Sequence, residues 1–138
     1  MGCGSIHSYS ADDINRYIRK GQQHSFGPEL VDGKIIKLTS SDGFFNGSPP
    51  LDITWLRSRM TKDEYVEAIK HINQRVSQAM IGASKRIPIH EIPVTQTTKL
   101  AVDELNDRYV DRIHFSFEHH EQLTSREVGT SFLFIDIK

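Results

Sequence analysis

Residues 61–80, TKDEYVEAIKHINQRVSQAM, decide the fold. Thr61-Lys-Asp-Glu64 has the pattern of a capping box, in which a threonine hydroxyl and a glutamate carboxylate each accept from the other's backbone amide. Met60 and Tyr65 stand where a hydrophobic staple would close over that box. Tyr65, Ile69, Ile72, Val76 and Met80 then recur at steps of four, three, four and four, which places them on one helical face. Gly82 supplies a stop. The spacing predicts a helix over 61–81 with one side that must be buried.

The flanking sequence supplies strands to bury it. Lys34–Thr39 (KIIKLT) follows an Asp32-Gly33 turn signal, and Ile113, Phe115 and Phe117 alternate with polar residues in RIHFSFE. Residues 131–137, SFLFIDI, are apolar almost throughout and fit a central strand. A second helix is expected over 98–111, with Leu100, Ala101, Leu105 and Tyr109 inward. Ser10-Ala-Asp-Asp13 caps a short N-terminal helix carrying Ile14, Tyr17 and Ile18, which ends near Gly21. Residues 21–28 read as loop, 40–50 as a turn-rich connector, and 83–96, with Pro88 and Pro93, as extended and irregular. The expected fold class is α+β: a small antiparallel sheet (strands near 34–39, 112–118 and 131–137), two main helices (near 61–81 and 98–111) on one face, and the short N-terminal helix. Residues 10–138 form one interaction domain behind a tail of residues 1–9.

The composition narrows the function classes. The 138 residues are 37% hydrophobic and 25% charged, with a formal net charge of -1. No basic run offers itself to a phosphate backbone, so no nucleic-acid partner is expected. A single cysteine cannot close an internal disulfide, which suits a reducing setting. The longest apolar run, Phe132–Ile135, is strand-sized, and the first residues lack the apolar centre of a secretory signal.

The first residues carry the clearest functional pattern. MGCGS exposes Gly2 once Met1 is removed, places the small hydroxyl residue Ser5 near the position that an N-myristoylation signal requires, and sets Cys3 beside the acyl chain, where palmitate can be added. One myristoyl chain binds membranes only marginally, with a constant on the order of 10^4 M^-1, so stable anchoring takes a second signal. Residues 1–20 hold no polybasic patch, so that signal is Cys3. Gly2 and Cys3 are the expected lipidation sites.

Other candidates are weaker. Seven histidines invite a metal, but His114 and Glu118 on one strand face would be about 13 Å apart, and neither Cys-x-x-Cys nor His-Glu-x-x-His occurs. No metal, cofactor or catalytic residue is expected. Phe44 and Phe45 are adjacent in a turn-rich segment, where burying both is difficult, so one of them is a candidate contact for a partner. Trp55 completes this interaction set; it lies just before the long helix and packs under it with Leu56.

Two blocks resemble a known family. LRSRMTKDEYVEAIKHINQRV (56–76) is similar to the helix that opens the golgin subfamily A member 7 / Ras-palmitoyltransferase accessory subunit family, which includes the cysteine-rich hydrophobic domain proteins. The shared features are Thr61, the Glu64-Tyr65 pair and Ile69-x-x-Ile72-Asn73. LAVDELNDRYVDRIHFSFEHHEQL (100–123) and FLFIDIK (132–138) resemble the family's later helix, strand, polar turn and final apolar strand. The family's middle segment is cysteine-rich, hydrophobic and palmitoylated; residues 82–97 here have no cysteine and little apolar mass. Gly2 and Cys3 would take over that membrane contact. The resemblance implies a non-catalytic adaptor on the cytosolic face of Golgi, plasma or vesicle membranes, which partners a DHHC-type palmitoyltransferase or serves a trafficking complex. The alternatives are a structural subunit of a larger membrane-associated or flagellar assembly, and a small enzyme without a recognisable motif.

Overall fold

A computed structural model describes residues 8–22, 27–40, 44–81, 94–120 and 130–138. Helix α1 (Ala11–Gln22) leads to strands β1 (Glu29–Val31) and β2 (Ile35–Ser40), then to a 3-10 turn at Ile53–Leu56 and helix α2 (Lys62–Met80). Helix α3 (Val94–Arg108) and strands β3 (Ile113–His120) and β4 (Thr130–Ile137) follow. The strands form one antiparallel sheet in the order β1-β2-β4-β3. The fold is α+β, as the sequence led us to expect.

The capping box at Thr61 forms as its sequence demands. The Glu64 amide donates to the Thr61 hydroxyl at 3.0 Å, and the Thr61 amide donates to the Glu64 carboxylate at 3.0 Å. That backbone bond holds the Glu64 carboxyl below its ordinary pKa. Helix α1 opens in the same way: the Ser10 amide donates to Asp13 Oδ2 at 2.9 Å and the Asp13 amide to Ser10 Oγ at 3.2 Å.

The apolar stripe of α2 is buried as a row. Tyr65, Ile69 and Ile72 meet Ala101, Leu105 and Tyr109 of the α3 segment, and both helices press on one face of the sheet. That face carries Ile36 and Leu38 from β2, Leu133, Ile135 and Ile137 from β4, and Ile113 and Phe115 from β3. Strand β4 is central, bonded to β2 on one side and β3 on the other. Its inward side chains are therefore buried at alternate positions along its whole length.

The structure differs from the sequence expectation by one added strand and at several element ends, among them β3, which runs on through His119 and His120. Strand β1 was not expected; it pairs with β2 through a hairpin whose central residues Asp32 and Gly33 have φ of 54° and 74°. A tight hairpin turn needs such positive φ values, and Asp-Gly supplies them. Helix α1 continues through Gly21 to Gln22. Helix α3 starts at Val94 rather than 98 and ends at Arg108 rather than 111. Residues 94–96 are therefore helical rather than extended, because Pro93 sits just ahead of the helix, where its missing N–H costs nothing. Residues 82–93 and 121–129 lie outside the described residues.

Two carboxamides fasten the helices to the rest. Asn73 of α2 accepts from the Phe45 amide at 2.9 Å and donates to the Phe45 carbonyl at 2.6 Å. Asn106 of α3 treats Phe115 the same way, accepting at 2.6 Å and donating at 2.9 Å. Phe115 lies on β3, a strand at the sheet margin, so Asn106 satisfies backbone groups that would otherwise face outward.

Candidate functional site

The connector between β2 and α2 does more than link them. Phe44 and Phe45 point to opposite sides. Phe45 enters the main core and meets Phe117 edge-on, with ring centroids 6.4 Å apart. Phe44 joins Ile14, Val76 and Met80 in a second, smaller cluster, where the Tyr17 ring stands edge-on to it at 6.0 Å. Both phenylalanines are buried, at 2% and 0% exposure. This corrects the expectation that one of them would remain for a partner: the described residues form two apolar clusters, and adjacent side chains pointing apart can fill one each. The smaller cluster is what holds α1 against α2.

Where α1, the connector and α2 converge, they leave an open cleft of about 580 Å³. Its apolar lining comes from Ile18 of α1, Phe45 of the connector, and Val66 and Ile69 of α2. The Asn73 clamp on Phe45 fixes the connector wall. A Cβ on Gly47 would lie 3.4 Å from Ile69 Cδ1, so the backbone of the connector passes within van der Waals reach of the helix. Along the rim stand Lys62, Lys70 and Gln74 of α2 and Asn15 of α1. Among the described residues the lining holds no carboxylate, and neither lysine makes an ion pair. The cleft can therefore seat an apolar group and attract negative charge at two points.

The opposite flank of α2 is electrostatically satisfied. Glu104 of α3 takes the guanidinium of Arg75 as a two-pronged partner and the His71 ring at 3.0 Å. The hydrogen bonds from Arg75 hold the Glu104 carboxyl down at about 2. This network ties α2 to α3, while Lys62 and Lys70 on the helix's other side make no ion pair with a described residue.

The remaining sequence candidates fall as follows. Gly2 and Cys3 lie outside the described residues. Trp55 sits half-buried on the 3-10 turn, packed against the main core with Leu56 beneath. His114 and Glu118 share the outward sheet face, opposite Asp136 and Phe132 of β4. No group of three or more metal-ligating side chains gathers among the described residues. The serine–histidine contact between His119 Nδ1 and Ser131 Oγ, at 2.9 Å, was not anticipated; Ser131 is 3% exposed, which closes its hydroxyl to a substrate. Sequence reasoning also missed the cleft. The available signal was Asn73, a poor helix former placed mid-helix, which asks for a tertiary partner.

No family model matches the chain, and no curated protein or solved structure matches it.

Proposed function

We propose that this protein is a membrane-tethered, non-catalytic adaptor, acylated at Gly2 and Cys3 and carried on a cytosolic membrane face. The observation that carries the reading is the Gly2-Cys3-Gly4-Ser5 sequence standing a few residues ahead of a helix that is itself docked on the domain. An acyl pair there tethers a folded body by a defined corner. The cleft beside α1 supports the adaptor role, because an apolar floor between two lysines is equipped to recognise a partner. The resemblance of residues 56–76 and 100–123 to the Ras-palmitoyltransferase accessory subunits suggests a DHHC-type transferase as that partner.

The test uses a C-terminal tag, so that Gly2 stays free, with alkyne-myristate and alkyne-palmitate labelling followed by membrane fractionation. Wild type is expected to take both labels and sediment with membranes. Cys3→Ser keeps myristate and exchanges off membranes, since one chain is too weak alone. Gly2→Ala is expected to lose myristate and become soluble. A Gly2→Ala protein that stayed fully membrane-bound would refute the tether. Pull-down in mild detergent then distinguishes a palmitoyltransferase partner from a trafficking complex.

A further inference from the structure

Lys62, Val66 and Lys70 follow one another at intervals of four along α2, and all three line the cleft. Successive members are about 6 Å apart along the axis, so the backbone positions of the two lysines bracket Val66 over about 12 Å. An extended peptide places alternate side chains on one side at about 6.6 Å intervals. The two repeats match. We propose that the cleft binds an extended segment of a protein partner with the pattern acidic-x-apolar-x-acidic. The central apolar side chain rests on Val66 and Ile18, the partly exposed apolar residues of the lining, and the flanking carboxylates meet Lys62 and Lys70.

Charge complementarity selects this occupant. The lining holds two lysines that make no ion pair with a described residue, and no carboxylate among its described residues. The openness of the site along α2 suits a chain that enters and leaves at both ends. The amide groups of Asn15 and Gln74 at the rim offer donors and acceptors to a peptide backbone. This assignment deepens the adaptor reading by naming what the adaptor holds, and it rests on that reading only for its biological setting.

The experiment uses purified, unacylated full-length protein and fluorescein-labelled peptides built on Asp-Ser-Leu-Ser-Asp, read by fluorescence anisotropy. Saturable binding is expected, weakening as salt rises. A peptide with the same residues but adjacent aspartates should bind at least tenfold more weakly. The double variant K62E/K70E should lose at least tenfold in affinity for the acidic peptide and gain affinity for Lys-Ser-Leu-Ser-Lys. Both lysines are exposed and unpaired, so the variant should fold, with circular dichroism as the check. No saturable binding up to millimolar peptide would overturn the proposal, as would equal binding by the double variant. So would a lysine effect seen only with phosphatidylserine vesicles, which would assign the cleft to lipid. Because no lipid is attached in this assay, its failure leaves the acylation test untouched, and the converse also holds.

Discussion

Tyr65 shows how one atom can work against the fold that its side chain supports. The ring is 1% exposed in the main core, yet its hydroxyl has no hydrogen-bond partner among the described residues. Burial alone pushes the phenol up to about 12. A buried, unsatisfied polar group costs about 1–3 kcal/mol. Tyr65→Phe keeps the ring and removes the liability, so it is expected to stabilise the protein by about 1 kcal/mol. The check is urea unfolding, with a raised midpoint and an unchanged slope. A lowered midpoint would mean that the hydroxyl is satisfied after all. Asn73 and Asn106 are the converse case: each spends its whole side chain on another residue's backbone, and each is a residue that helix propensity alone would not choose for its position.

Among the elements, the contact of α2 with α3 depends on pH in a direction that its residues dictate. The Glu104 carboxyl sits at about 2 in the folded protein against an ordinary 4.5, because Arg75 and then His71 bond to its charged form. A carboxyl lowered by folding stabilises the fold fully above the unfolded value. That contribution is lost as pH falls through 4.5 toward 2. Thermal melts of wild type and Glu104→Gln should therefore differ above pH 4.5 and converge as pH approaches 2. A gap that persisted unchanged at pH 2 would assign the effect to packing rather than charge. The elements also show what a sequence can and cannot disclose. Helix α2 was legible because its capping box and apolar steps are local and agree. Strand β4 was legible because its apolar run exceeds what a solvated strand would carry. Strand β1 was not, because three residues carry no measurable alternation and its existence depends on β2. The start of α3 was missed because Pro93 reads as a breaker, though a proline at the entrance to a helix is no obstacle. The cleft was hidden because its walls come from three separated segments. The direction of Phe44 against Phe45 follows from tertiary packing, not from composition.

For the whole molecule, the division into two apolar clusters makes α1 a separable part. Phe44→Ala empties the centre of the smaller cluster while leaving the main core intact. Large-to-small changes of this kind cost about 3–5 kcal/mol where the site is rigid. Here the loss should fall locally, as undocking of α1. Hydrogen exchange is expected to rise across Ala11–Gln22 with β4 still protected, and the acidic peptide should bind at least tenfold more weakly because Asn15 and Ile18 leave the cleft. Equal loss of protection in β4 would mean that the clusters form one cooperative unit.

The position of β4 also governs when the molecule can exist. Of the three long strands it is the last in the chain, yet it lies between the other two. A ribosome delivers β2 and β3 first, and neither can bond to the other; each waits for the same later partner. Until β4 is available, the faces of α2 and α3 have no complete sheet to cover. A chain that has made α2 and α3 but not yet β4 carries those faces exposed, which opens it to aggregation.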